Sequence, residues 1–430
     1  MIKMKKIFIK ILFLVALNIQ NSFANITIEE AIDSAYQNNI ELKSQEYSYK
    51  TAKSEKLKSL GGFLPNIEAN INSGSRKTRI GDNTEIKDDI DKKSLTASQN
   101  LFNGFGSVNE LKKANNILKR EKAIKDSKIQ QITLNVVRSY LDILKYQKLL
   151  QISENNQLAQ EKLLDYIQRK FELQDSTKSE FARAKADYVK AKNNQIFTQN
   201  NLNLSKANFT SHTGLDLNSA ETLEEITETE IKIEENIDQL FQKALENNPE
   251  IKAANYSFMA SKYDANVARS TLSPKVSLNF NMSEEQNSLY LDDQKEKGAS
   301  VYLNVNIPIF NSGQSYFAIS ATNNNKQKES YNLEATKQKI QNSIIEYTNK
   351  QENYQANYIS SKELEKANEI YVETLIQEEK LGTKSIIELL EAQQNLYTSQ
   401  IEVVNLFYEK IYAGFEIKAL IGELYQTNLK

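Results

Sequence analysis

Cysteine is absent from all 430 residues. Its absence excludes a disulfide framework, a thiolate metal site and a lipid-bearing cysteine behind a leader peptide, and it suits an oxidising compartment. Basic excess is absent too. Residues 1–24 hold four lysines and no acid, so without them 50 basic residues face 56 acidic ones, a net charge of −6 that argues against nucleic acid as a partner. Beyond residue 24 no apolar run is long enough for a transmembrane helix, which needs about 20 residues. A place in a membrane would therefore require a β-barrel. There is no Gly-rich phosphate loop, no metal-spaced cluster and no nucleophile beside a base, so the sequence points to no enzyme and no cofactor. The one histidine, His212, precedes Gly214 by two residues and reads as a helix C-terminal residue favoured by the dipole, not as a ligand.

Glycine and proline are scarce, 12 and 4 residues, where usage of about 7% and 5% is ordinary. Neither occurs from Ser107 to Thr213 or from Gln314 to Leu381, so helices there could approach about 100 Å at 1.5 Å per residue. Apolar residues in these stretches recur at steps of three, four and seven, as in Ile132, Val136, Tyr140 and Ile143. That spacing makes a packing seam between polar faces. A soluble coiled coil would satisfy these stretches taken alone.

At the start, Lys3, Lys5 and Lys6 lead into an apolar run from Ile7 to Leu17, followed by Ser22-Phe23-Ala24. This is the pattern of a secretory signal peptide, with cleavage expected after Ala24.

The rest of the chain is written twice. Asn38-Asn39-Ile40-Glu41 returns as Asn247-Asn248-Pro249-Glu250, and Pro65 returns as Pro274, both at an offset of 209. Phe102-Asn103 returns as Phe310-Asn311, Thr177 and Glu180 as Ser385 and Glu388, and Gly214 as Gly422, all at 208. So constant an offset marks a duplicated domain. The expected organisation is a signal peptide over 1–24, a first repeat over 25–220, a linker over 221–235 and a second repeat over 236–430. Helix-starting boxes open both repeats, Thr27-Ile28-Glu29-Glu30 and Asn236-Ile237-Asp238-Gln239, each leading into one helix that ends near Leu60 or Arg269. The long helices are expected over about 107–171, 177–213, 314–380 and 385–422.

Between the helices the period changes. Val276, Leu278, Phe280 and Met282 alternate with Ser277, Asn279, Asn281 and Ser283, and Val301 to Ile309 alternates likewise. Ile67, Ala69 and Ile71 alternate with Glu68, Asn70 and Asn72 in the first repeat. Period two gives one apolar and one polar face. The predicted strands cover about 63–79 and 93–105, then 272–287 and 298–311, with Pro308 marking a bulge or bend inside the last. Segments of about ten alternating residues suit a membrane barrel, although a soluble hairpin packed on the helices satisfies the same pattern. Four strands cannot close a barrel, so in a membrane several chains must share one.

This order of elements, duplicated, resembles the TolC family of outer-membrane efflux proteins. The local sequences agree at Leu64-Pro65-Asn66-Ile67, at Ser273-Pro274-Lys275-Val276, at Ile307-Pro308-Ile309-Phe310 with Gly313, and most closely over Leu381 to Ala392. The resemblance implies a mixed α and β fold: a homotrimeric outer-membrane β-barrel, four strands per chain, continued by a long α-helical periplasmic barrel. It implies a passive exit duct for efflux or type I secretion, in contact with outer-membrane lipid. Its partners would be a periplasmic adaptor protein and an inner-membrane RND or ABC transporter. A periplasmic coiled-coil adaptor or scaffold is the competing reading, and the duplicated amphipathic hairpins argue against it.

The resemblance also assigns residues. Glu388 and Glu391, three apart on one helix face, would form a pore constriction, where six carboxylates from three chains would favour cations and be blocked by divalent ions. The capping box formed by Ser385 accounts for Glu388 by itself, and acids so spaced also occur on plain solvated faces. Lys384, Glu180 and Ser179 stand where the family latches its closed tip. Leu173-Gln174-Asp175-Ser176 and Leu381-Gly382-Thr383 correspond to its adaptor-docking turns, with Gln174 where glycine is usual.

Overall fold

The computed structural model describes residues 25–80, 84–217, 223–226, 235–288 and 291–424. The expected cleavage point at Ala24 and most of the expected linker lie outside them. The described residues divide into two compact units, one of residues up to 42, 128–245 and 340 onward, the other of 43–127 and 246–339.

Each repeat follows one order. The first runs α1 (Ile28–Asn38), α2 (Ile40–Leu60), β1 (Asn66–Ile80), β2 (Thr84–Phe102), α3 (Gly106–Glu172) and α4 (Lys178–Thr213). The second runs α5 (Ile237–Asn247), α6 (Pro249–Ser270), β3 (Lys275–Ser288), β4 (Leu291–Asn306), α7 (Gln314–Lys380) and α8 (Ile386–Leu420). The expected opening boxes form: Thr27 and Glu30 cap α1 reciprocally, and Asn236 and Gln239 do the same before α5 at 2.9 and 3.1 Å. The single helix expected after each box is two. Asn39 ends α1, and its Oδ1 accepts from the Leu42 amide at 2.9 Å. Asn248 Oδ1 accepts from the amides of Glu250 and Ile251. An Asn side chain that takes over backbone donors starts a helix afresh.

The second unit carries one antiparallel sheet in the order β1-β2-β3-β4. The β2–β3 pairing joins the repeats, with Ala97 opposite Phe280 and Leu95 opposite Met282. Successive ladders place Ile67, Ala97, Phe280 and Val301 on one face, then Ala69, Leu95, Met282 and Ala299. Glu68, Thr96, Asn281 and Ser300 share the other face with Asn66, Ser98, Asn279 and Tyr302. On the apolar face Val301, Leu303 and Val305 are 66%, 59% and 53% exposed. From Val276 to Met282 the apolar band runs about 20 Å along the strand. Above it the rows become ionic, with Lys297 to Glu284 at 3.1 Å and Lys92 to Glu285 at 3.0 Å.

Two expectations are corrected here. β2 starts at Thr84 and not near 93, and β4 at Leu291 and not near 298, because these charged arms are held by strand pairing and show no apolar alternation. Pro308 bends no strand: β4 stops at Asn306, and the segment after it makes no ladder. Register shifts fall instead between Asn100 and Phe102 in the β2–β3 ladder and between Gln286 and Ser288 in the β3–β4 ladder.

After the strands, Asn103 and Asn311 receive the amides of Ser107 and Ser315 at 3.2 and 3.3 Å and start α3 and α7. The turn at Gly104 is left-handed, φ +65°, and a Cβ there would lie 2.3 Å from Cβ of Ser273, so glycine is needed for both conformation and space.

In the first unit, Ala31, Ala35, Val136, Val137, Tyr140, Leu202, Phe209 and Ile411 form a core drawn from α1, α3, α4 and α8. The buried Tyr140 hydroxyl lies 2.8 Å from the carbonyls of both Ile26 and Glu224, beside a bridge from Ile26 to Leu223. Arg138 forks onto Glu409 at 2.7 and 2.9 Å. Burial works against its charge, but Glu409 and Asp142 outweigh that and raise the Arg138 pKa.

Candidate functional site at the helical tip

Within the first unit, α3 gives way to α4, and α7 to α8, through two turns of one design. The Gln174 amide donates to Phe171 O at 3.0 Å and the Asp175 amide to Lys170 O at 2.8 Å. In the second repeat the Gly382 amide donates to Glu379 O at 2.9 Å and the Thr383 amide to Glu378 O at 3.0 Å. Each turn satisfies the last carbonyls of its long helix through one left-handed residue, Gln174 at φ +63° and Gly382 at φ +74°. Leu173 and Leu381, just ahead, are 79% and 78% exposed.

The following helices start on capping boxes. Thr177 Oγ1 accepts from the Glu180 amide at 3.2 Å while Glu180 Oε2 accepts from the Thr177 amide at 2.7 Å and from the Ser176 hydroxyl at 2.9 Å. The Thr177 backbone contact, Ser176 and the charge of Lys170 together lower the Glu180 pKa against a burial effect. Ser385 and Glu388 repeat the arrangement at 3.2 and 3.3 Å. Glu388 also accepts from Lys384 at 3.4 Å. Glu388 and Glu180 are thus both engaged at their own helix starts, and Lys384 meets Glu388, not Glu180. Ser179 is exposed in the first turn of α4. Glu391, on α8, is exposed, and its charge adds to that of Asp187 in raising the pKa of Arg183 on α4.

Behind the turns the four helices share a second core, in which Leu375, Ile167 and Leu390 are 0–1% exposed and Leu389 and Ala392 2%. Phe171 and Phe181 stack at 5.5 Å. One charge sits beside this core: Glu379, 5% exposed, accepts from Lys170 Nζ at 2.8 Å and from the Tyr166 hydroxyl at 3.0 Å. Sequence reading missed this cluster. The available signal was an acid in the last turn of a helix, where the dipole disfavours it unless a partner is present.

A family model for outer membrane efflux proteins matches residues 31–215 and 240–423, one segment in each repeat. The outer membrane efflux protein BepC of Brucella suis biovar 1 is 20% identical over 403 residues, covering 93% of this chain and 86% of the relative. The outer membrane protein TolC of Vibrio cholerae serotype O1 is 21% identical over 317 residues, 70% of this chain and 69% of that one. Among solved structures, the outer membrane protein VceC of Vibrio cholerae superposes with a TM-score of 0.81 at 15% identity, covering 92% of this chain and 96% of that one. The match to both repeats rules out a coiled-coil adaptor, and the expected resemblance to the TolC family holds. The chain belongs to the outer membrane efflux protein family, whose members are outer-membrane channels and transport conduits, and it resides in the outer membrane and extends into the periplasm.

Proposed function

We propose that this chain is one third of a homotrimeric, passive exit duct serving a tripartite efflux pump or a type I secretion system. The observation that carries the reading is the two-faced sheet. Its apolar face is uncovered, its other face is lined mainly by Asn, Ser and Thr, and β1 and β4 are edges with open hydrogen-bonding groups. Unpaired edges and an uncovered apolar face are unstable in water. In a membrane the apolar face meets lipid, and three copies supply twelve strands, enough to close a barrel around a polar lumen.

At the helical tip, Glu388 and Glu391 form the constriction, Lys384, Glu180 and Ser179 contribute to the closed tip, and the turns 173–176 and 381–383 receive a periplasmic adaptor. Through that adaptor an inner-membrane RND or ABC transporter loads the duct. Planar-bilayer recording of the purified mature protein tests the reading. Small, discrete, cation-selective steps are expected. Protein that stays soluble without detergent and gives no steps would overturn it.

A further inference from the structure

We propose that the apolar face of the sheet carries a site for an outer-leaflet lipid that joins several acyl chains to phosphate, the chemistry of lipopolysaccharide. The proposal rests on the duct reading and gives its lipid-facing surface a ligand. Two neighbouring rows of that face build the site. Ala69, Leu95, Met282 and Ala299 make one row, and Ile71, Lys93, Glu284 and Lys297 make the next, nearer the hairpin ends. Together they line a hollow of about 480 Å³. The small Ala69 and Ala299 leave room beside the longer Leu95 and Met282, and Ile71, Leu95 and Met282 are all exposed. Apolar surface of this kind gains by covering itself with acyl chain.

Along the hairpin side of the hollow the charges do not balance. Lys93 and Lys297, with Lys295 one row farther on the same face, stand against Glu284 and Asp91, three cations to two acids. Glu284 is shared, 3.1 Å from Lys297 and 3.8 Å from Lys295, while Lys93 reaches Asp91 at 3.4 Å. The side chains of Lys93, Lys297 and Lys295 are 58%, 66% and 57% exposed. Exposed pairs contribute little to stability, so these ammonium groups are open to exchange. A phosphate brings more negative charge than a carboxylate and three strong acceptor oxygens. Lysine stems cover apolar surface while their heads reach the polar layer, which matches both parts of such a lipid.

The depth of the rim selects the lipid. Eight residues separate Val276 from Glu284, about 26 Å of strand, and the apolar band of a membrane barrel is about 25 Å tall. The lysines therefore stand at headgroup level. They lie at the strand ends remote from α2 and α3, and in a duct whose helices enter the periplasm those ends face outward. Lys93 on β2 and Lys297 on β4 are two strand spacings apart, about 10 Å. That separation suits a headgroup with two phosphates better than one with a single phosphate. Pairing of β1 and β4 with further copies would extend the sheet sideways and leave the hollow open.

Native mass spectrometry of full-length trimers in detergent, titrated with bisphosphorylated lipid A, tests the proposal. Saturable binding to the original is expected, and Lys93→Gln with Lys297→Gln should weaken it at least tenfold. Lys92→Gln, which removes a pair with Glu285 on the polar face, should leave binding unchanged. Phosphatidylglycerol and dephosphorylated lipid A should each bind the original at least tenfold more weakly. Equal binding by the double lysine variant would overturn the proposal, as would phosphatidylglycerol binding as tightly as lipid A. So would assemblies larger than a trimer that exclude lipid A, which would mean that a second copy covers the hollow. If the double variant fails to assemble, Ala299→Leu, which fills the hollow and keeps every charge, decides in the same way. An original trimer that conducts in planar bilayers but binds no lipid A would end this proposal and leave the duct reading standing. Protein that stays soluble without detergent and gives no steps would end both.

Discussion

Gln174 and Gly382 stand one repeat apart and share one backbone conformation, φ +63° and φ +74°. Only one of them has a side chain. A Cβ on Gly382 would meet nothing within 4 Å, so the difference between the turns is conformational cost and surface, not internal packing. A left-handed residue with a Cβ costs about 1–2 kcal/mol, and the extra chain entropy of glycine offsets part of that. Gln174→Gly should stabilise the first turn by about 1 kcal/mol or less, and Gly382→Gln should destabilise the second by a similar amount. Slower and faster amide hydrogen exchange at Asp175 and Thr383, respectively, would show it; equal exchange in both variants would refute it.

Glu388 and Glu391 can be tested separately because Gln keeps a capping box that Asp or Ala would lose. Glu388→Gln and Glu391→Gln should each lower cation selectivity and weaken block by divalent cations, the double variant most. Reversal potentials across a salt gradient measure this. Selectivity that survives the double change would take both residues out of the constriction.

The two faces of β4 should respond oppositely to charge. Leu303→Lys places a cation on the apolar face and should cost about 2–4 kcal/mol if that face meets mid-bilayer lipid. Asn304→Lys, on the polar face, should cost far less. Trimer yield and thermal dissociation in detergent compare them, and equal losses would mean that neither face meets lipid.

Glu416 carries the clearest pH dependence. Burial pushes its carboxyl up to about 7, against the pull of the Tyr347 hydroxyl, Lys350 and Arg138 and with some help from Glu409. The folded chain therefore holds a proton there that the unfolded chain releases near its ordinary value of 4.5. Stability from this group is fully present below about 4.5 and declines until about 7. Glu409 and Glu180, with lowered values, act in the opposite sense and lose their contribution only as pH falls into the acid range. The gap in melting temperature between Glu416→Gln and the original should widen from pH 5 to pH 7 and then level off. A constant gap would contradict this.

The sequence displayed what is local. The duplicated caps at Thr27, Thr177 and Ser385, the paired Asn103 and Asn311, and the apolar alternation around Phe280 are short-range patterns with fixed geometry. It concealed what depends on partners far along the chain. The arms from Thr84 and Leu291 are strands because another strand lies opposite them, and no alternation reports that. Glu379 lies 209 residues from Lys170, and nothing around either residue names the other. The break at Asn39 was visible as a repeated landmark, yet its meaning, a second helix start, needed the backbone.

The seam between β2 and β3 has one more consequence. Because β3 and β4 are the second writing of β1 and β2, the free edge of β4 offers a neighbour what β2 already offers β3 inside the chain. The free edge of β1 likewise offers what β3 presents. A ring of copies would thus repeat a joint already made within every molecule. Closure asks for no surface that folding has not first proved on itself, and the three-fold ring would be, strand by strand, close to six-fold.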